Sequence, residues 1–424
     1  MGKKAVALLL VMTILGLSGC SQPALGQELK SNKPRVTSPS VGGADLTVLV
    51  DGNNAFAFDL YQALAQKDGN LFYSPYSISE ALAMTYAGAR GGTETAMAEV
   101  MNFTLSQARL HPAFNLLDLE LKARGEGAQG KDEKGFRLNV VNAIWGQKDF
   151  KFLSEYLDTL AQNYGAGLRL VDFVSQTEPS RVTINDWVSE QTEERIKDLI
   201  PPGALNELTR LVLTNAIYFN AAWQFPFDEK VTESGNFRLL NGSEVAVSMM
   251  KQRRSFSYAE GDNYQAVELP YDGQELSMVI LLPDAGEFAS FEESLKAEMV
   301  KEIIGKLKNR EVSLTMPKFE YESSFGLKPV LTGLDMGIAF TEAADFSGMD
   351  GRRDLLIQDV LHKAFVAVDE AGTEAAAATA VIVGTTSLPS DIVEFTIDRP
   401  FLFLIRDIPT GSIIFVGRVL NPAK

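Results

Sequence analysis

Cysteine occurs once in the 424 residues, at Cys20, and histidine twice, at His111 and His362. A single thiol excludes an internal disulfide framework and a cysteine-rich metal cluster. A Ser/His/acid hydrolase would have to recruit His111 or His362 beside a serine that no motif marks. GxSxG, HExxH, GxGxxG and phosphate-loop patterns are all missing, and no spacing among the carboxylates singles out an acid–base pair. The chain reads as a non-enzyme that needs no cofactor and no metal, with His362 a hydrogen-bonded residue on a buried strand. Long basic stripes are missing too. The 39 Lys and Arg face 55 Asp and Glu, for a net charge of −16, which argues against nucleic acid and heparin-like polyanions as partners. The pairs Arg253-Arg254 and Arg352-Arg353 read as solvated loop charges.

The chain begins with a targeting segment. MGKKAVALLLVMTILGLSGC has a basic start, an apolar run from Ala5 to Leu17 and small residues before Cys20. Leu17-Ser18-Gly19-Cys20 resembles the bacterial lipobox, which implies a leader of residues 1–19 and a membrane tether through lipid on Cys20. An ordinary signal peptide with a chance cysteine is the alternative, and would give a secreted chain. Either way the chain is exported, to the cell envelope or cell surface in the first case. The absence of other thiols suits an oxidising compartment. Loss of Lys3 and Lys4 with the leader takes the charge from −16 to −18. Residues 20–45, rich in Pro, Ser and Gly without periodicity, read as the lipidated cysteine and a flexible linker. Residues 46–424 form one large domain.

Within that body, Phe56, Leu60 and Leu64 recur at helical spacing from Asn53 onward. Residues 74–92 read as a helix with Ser77 as N-cap and Glu80 completing a capping box. Helices are predicted over 152–165 and 184–200, the latter stopped by Pro201-Pro202. Strand-like runs cover 136–146, 211–219, 264–271, 276–283 and 312–321, then 362–370, 391–397, 400–407 and 412–420. Helices dominate early and strands late, without βαβ alternation. The expected class is mixed α+β around large, partly antiparallel sheets.

One stretch stands apart. Residues 373–390, TEAAAATAVIVGTTSLPS, carry no charge, aromatic or Gln/Asn after Glu374. The segment is too short to span a bilayer, and its TAVIVGTT half is ready to become a strand. GTEAAAATA (372–380), between HKAFVAVDEA (362–371) and RPFLFLIRD (399–407), with GRVLNP (417–422) beyond, resembles the serpin family. So do NLFYSPYSISEALAMTYAGARGGT (70–93), Asn185-Asp186-Trp187-Val188, TNAIYFNAAWQFPFD (214–228) and ELPYDG (268–273). The resemblance implies a fold of three β-sheets and eight or nine helices, with an exposed reactive-centre loop at about 371–391.

It also implies a function: suicide-substrate inhibition of serine proteases. The cleaved loop would insert as a strand into the main sheet and trap the acyl-enzyme. Counting from Gly372 and back from Pro400 gives the same reactive bond, Thr386–Ser387. The hinge is Gly372, Thr373, Glu374, Ala375, Ala376, Ala377, Ala378, Thr379 and Ala380. As a strand, 373–386 would span roughly 45 Å. One face would carry Thr373, Ala375, Ala377, Thr379, Val381 and Val383, all small or apolar, with Glu374 on the other. Ser74, Asn215 and His362 resemble the family's sheet-opening control group, and Trp223 the ring where insertion begins; each is also explicable as core structure. Small, uncharged Thr386 suits elastase- or subtilisin-like targets and not trypsin-like ones; the same bait serves a cysteine protease. The expected partner is a target protease in a covalent complex, with the chain itself a monomer. The alternative is a non-inhibitory binding or chaperone protein with the same fold, but such relatives carry bulky, charged or Pro residues in the hinge, and this hinge does not.

Overall fold

The computed structural model describes residues 26–128, 136–373 and 391–424. In chain order the strands are β1 (Gln27–Leu29), β2 (Leu71–Tyr73), β3 (Arg137–Gln147), β4 (Leu168–Val171), β5 (Leu211–Ala222), β6 (Glu233–Arg238), β7 (Glu244–Gly261), β8 (Tyr264–Pro270), β9 (Leu276–Pro283), β10 (Lys308–Pro317), β11 (Phe319–Gly326), β12 (Val360–Val368), β13 (Gly372–Thr373), β14 (Ile392–Thr396), β15 (Phe401–Asp407) and β16 (Ile413–Val419). The helices are α1 (Asp45–Leu64), α2 (Pro75–Tyr86), α3 (Gly91–Val100), α4 (Gln107–Ala123), α5 (Ser154–Tyr164), α6 (Thr177–Gln191), α7 (Phe288–Ser294), α8 (Ala297–Lys306), α9 (Lys328–Leu331) and α10 (Ser347–Asp350). The mixed class is as expected.

One sheet runs β1-β4-β3-β5-β13-β12-β11, and the other β14-β10-β7-β8-β9-β15-β16-β2 with β6 paired to β7. Two of the three expected sheets are joined, because β7 is long enough to serve both. Its first residues pair with β6, its middle with β10 and its last residues with β8.

β5, in the middle of the first sheet, is buried on both faces, and strand alternation sorts the residues around it. Val141, Ala143, Trp145, Val212, Ala216 and Leu361 pack with Ile184, Trp187 and Val188 of α6. Ile144, Leu211, Leu213, Ile217 and Phe219 face the main core, which holds α2. All twelve residues of α2 are buried, as for a helix enclosed on every side. Its N-cap is Ser74, whose side chain accepts the Ser77 amide at 3.1 Å, with Pro75 at the first helical position. The expected cap, Ser77, lies one turn inside, which frees its hydroxyl and Glu80 for other partners.

Two expectations about extent change. The predicted 184–200 helix ends at Gln191, because Glu193 and Glu194 adopt positive φ of 51° and 62°. Residues up to Ile200 then fold back, held by Asn185, whose side chain bonds both the amide and the carbonyl of Ile200. The stretch 26–44, assigned to a flexible linker, is an arm docked on the body. Gln27, Glu28 and Leu29 pair with Leu170, Arg169 and Leu168 of β4. Arg35 Nε donates to Asn115 at 2.8 Å and its guanidinium pairs with Asp118. Val36 N donates to the Gln162 carbonyl at 2.9 Å.

Candidate functional site

The first two residues of the expected hinge form a strand. Gly372 and Thr373 form β13, wedged between β5 and β12 and antiparallel to both. Gly372 pairs with Ala222, and Thr373 with Ala221 on one side and Val368 on the other. Only glycine fits the first position: a Cβ there would lie 2.1 Å from the Ala221 carbonyl oxygen. Thr373 is 2% exposed, and its Oγ1 lies 2.7 Å from the Tyr271 hydroxyl. Tyr271 stacks on Trp223 with centroids 4.7 Å apart and planes 8° from parallel. Trp223 Nε1 donates to the Asp369 carbonyl and its backbone amide to Ala371, both at 2.9 Å. Trp223 thus stands against the turn that leads from β12 into β13. Glu370 lies in the same turn. Burial alone would raise its carboxyl, but the ammonium of Lys318 at 2.7 Å and the hydroxyl of Thr232 hold it below the usual range.

Below β13, β5 and β12 meet directly in parallel, from Val360 opposite Leu213 to Ala364 opposite Ile217. Here the structure brings together Ser74, Asn215 and His362, which lie far apart in sequence. His362 is fully buried, and burial holds its imidazole down at about 3. Its neutral ring uses both nitrogens. The Ser74 amide donates to Nε2 at 3.3 Å, which leaves the proton on Nδ1 to be donated to Asn215 Oδ1. Asn215 Nδ2 donates to Ser77 Oγ and to Asn142 Oδ1. Ser74 Oγ donates to the Ile414 carbonyl at 2.7 Å. The group therefore pins β12 to β5, and both to the start of α2.

At the sequence level Asn142, Tyr271 and Glu370 were given no role, and Ser77 only that of a helix cap. Each meets its partners only through the fold. Both histidines are accounted for without a serine nucleophile or a carboxylate, since His111 Nδ1 lies 2.7 Å from the Tyr164 hydroxyl. Among the described residues no three His, Cys, Asp or Glu cluster as metal ligands, and no helix is long and apolar enough to cross a membrane. Cys20, the hinge positions Glu374, Ala375, Ala376, Ala377, Ala378, Thr379 and Ala380, and the bond Thr386–Ser387 lie outside the described residues.

Comparison with known proteins agrees with this geometry. The family described as Serpin (serine protease inhibitor) matches residues 51–422. The chain is similar to an uncharacterized serpin-like protein of Thermococcus kodakarensis, 39% identical over 99% of both chains. It is 40% identical to the leukocyte elastase inhibitor of Homo sapiens, over 88% of this chain and 99% of that one. Among solved structures, uncleaved ovalbumin superposes with a TM-score of 0.78 at 26% identity, covering 88% of this chain and all of that one. Human thyroxine-binding globulin gives 0.79 at 30%, covering 89% and 100%.

Proposed function

The chain belongs to the serpin family of serine protease inhibitors, and from that premise we propose that it traps its targets by inserting the cleaved loop between β5 and β12. The observation that carries this reading is β13, the first two residues of such a strand, already seated in the slot. Continuing its register steps one residue back along β5 for each residue gained. Ala375 then meets Phe219, Ala377 meets Ile217, Thr379 falls between Asn215 and His362, and Val383 meets Leu211. The small, uncharged face of the loop is the one that turns toward α2, where bulk would not fit. Strand addition of this kind replaces five parallel pairs by two antiparallel ladders. A dozen new ladder bonds at about 1 kcal/mol each, with burial of Val and Ile, give on the order of 10 kcal/mol.

The chemistry belongs to the protease. Its serine attacks the Thr386 carbonyl, the bond to Ser387 breaks, and the new amine leaves with the proton that the protease histidine took from the serine. Deacylation needs an aligned triad and oxyanion hole; dragging the acylated enzyme along the sheet disturbs both. Thr386 favours elastase- or subtilisin-like pockets, as the leukocyte elastase inhibitor relatives also suggest. A thiol nucleophile would form the equivalent thioester, so a cysteine protease falls within the same reading. The chain acts as a monomer.

The tether is part of the proposal. The described part of the arm begins at Gly26, beside Val171 and in line with Gln147 and Arg210. That end of the sheet is opposite the one where Thr373 enters, about 35 Å away along β5. Lipid on Cys20 therefore presents the loop away from the membrane. Cys20→Ser should move the exported chain from the membrane to the soluble fraction; unchanged partitioning would refute the anchor.

The central test mixes the soluble chain from Ser21 onward with an elastase, a subtilisin and trypsin, followed by denaturing gels and intact mass. A stable adduct with release of Ser387–Lys424 is expected with the first two. Cleavage at that bond with neither adduct nor thermal stabilisation would overturn the trap and point to a binding protein of the same fold.

A further inference from the structure

The reading above leaves a buried acid unexplained. Glu80 lies on α2, 7% exposed, beneath the slotted sheet. Asn142 Nδ2 on β3 donates to its Oε2 at 2.8 Å and also to the Ser77 carbonyl at 3.1 Å. Asn142 Oδ1 accepts from Asn215 Nδ2 and from Ser77 Oγ. A continuous path therefore runs from Glu80 through Asn142 on β3 and Asn215 on β5 to His362 on β12, across the slot. To admit a strand, β5 and β12 must separate by one strand spacing, about 4.8 Å. β3 is bonded along its length to β5 and travels with it if β5 slides over α2. The bonds from Asn142 to Glu80 and Ser77 resist that slide.

We propose that Glu80 is a positioning residue for loop insertion: through Asn142 it latches β3 onto α2, and so sets how fast the slot opens. The proposal rests on the insertion reading of the preceding section.

The latch is titratable. Facing Glu80 are Asn142 from β3, Asp118 and Lys122 from α4, Arg35 from the arm, Tyr76 on α2 itself and Tyr164 at the end of α5. Burial first, and then the Asp118 carboxylate, raise the Glu80 carboxyl to about 8; Lys122, the Asn142 bond and Arg35 offset only part of this. Burial pushes both tyrosines well above their ordinary value, and His362 sits near 3. None of these three titrates in the same window. Below about pH 8 Glu80 is neutral and accepts an ordinary hydrogen bond. Above it, the carboxylate accepts a charge-assisted bond roughly twice as strong and is left uncompensated in a buried place when Asn142 withdraws. Opening therefore slows as pH rises through this range.

The test follows uptake of a synthetic peptide of residues 373–386 by the soluble chain from pH 6.5 to 9.5, read as the fraction shifted to higher thermal stability. The wild-type rate is expected to fall about tenfold, equivalent to ~1.4 kcal/mol. Glu80→Gln keeps the acceptor and stays neutral, so its rate should remain near the wild-type low-pH value throughout. Glu80→Ala lacks the acceptor and should be fastest and independent of pH. Arg35→Ala removes a group that lowers the Glu80 carboxyl, and so moves the midpoint to higher pH. A flat wild-type profile, or the same slope in Glu80→Gln, overturns the proposal, and this comparison stands even if Glu80→Ala does not fold. Failure of the insertion reading looks different: no variant then takes up peptide at any pH.

Discussion

Replacing Thr373 by arginine places a guanidinium where the structure has a 2% exposed side chain between two strands. Thr373 shares the face of Ala221 and points toward Tyr271, which is fully buried and packs on Phe219 and Trp223. Losing the Thr373–Tyr271 bond leaves the buried phenol without a partner, at about 1–3 kcal/mol. A buried, unpaired cation adds several kcal/mol. Against this, the two residues of β13 return only a few backbone bonds of about 1 kcal/mol each. The balance of about 5 kcal/mol expels the hinge from the slot. On the proposed mechanism insertion starts there, so its rate should fall by more than a thousandfold at 1.36 kcal/mol per decade. Deacylation then wins, and the protease cuts the loop and leaves. The assay titrates an elastase or subtilisin with the variant, counting inhibitor molecules consumed per protease silenced and the adduct on gels. Thr373→Val, which loses the hydroxyl alone, should keep the adduct. Wild-type stoichiometry in Thr373→Arg would refute the reasoning.

Two further expectations concern the same machinery. Both histidines are held neutral by burial, His362 at about 3 and His111, also beside Arg90, at about 4, whereas the unfolded chain protonates them near 6.5. Each therefore makes stability fall by about 1.4 kcal/mol per unit as pH drops below 6.5. Glu80, raised to about 8, works in the opposite sense between its unfolded value and 8 and offsets one of them. Urea midpoints between pH 6 and 5 should thus show a net slope of one histidine, flattened by His362→Gln and doubled by Glu80→Gln; equal slopes in all three would be contrary. Gly372→Ala brings a methyl to 2.1 Å from the Ala221 carbonyl oxygen, so it should unseat β13 and lower adduct yield. An unchanged yield would mean that the hinge need not be docked before cleavage.

Much of the slot was legible because strand periodicity and a chemically odd loop survive in the linear chain. His362 reads as a hydrogen-bonded residue on a buried strand, and it is one. The errors fall where the deciding contact is distant. Ser77 was read as a helix cap from a plausible Ser…Glu spacing. The Ser-Pro pair at 74–75 was the better signal, since proline suits the first helical position. With the cap at Ser74, Ser77 and Glu80 turn to Asn142, more than sixty residues away. The arm was read as linker because its docking depends on single side chains, Ser31 to Asp158 and Arg35 to Asp118, and on a strand of three residues. Such a strap leaves no hydrophobic period. The end of α6 was placed nine residues late because Pro201-Pro202 is a conspicuous stop, whereas left-handed Glu193 and Glu194 have no signature in a charged run.

Insertion as proposed also requires the sheet to stay closed before cleavage, and the geometry offers a reason. At its upper end the slot is already open: β5 and β12 part beyond Ile217 and Ala364, and β13 occupies the gap. Only five parallel pairs remain to be broken, and parallel pairing is slightly the weaker kind per residue. What closes those five is a side-chain network placed at their middle, where His362 meets Asn215. The imidazole is neutral and spends one nitrogen on Asn215 across the slot and the other on the Ser74 amide at the start of α2, so β12 cannot withdraw from either without leaving a buried polar atom unpaired, at about 1–3 kcal/mol apiece. An inserting strand restores backbone bonds only as it passes each level, and the closing network lies several residues below the entrance. The cost thus falls before most of the gain. On the insertion proposal, that ordering would hold the uncleaved form kinetically, and would make the side chains around Asn215 control the rate at which the strand enters more than the stability it finally gains.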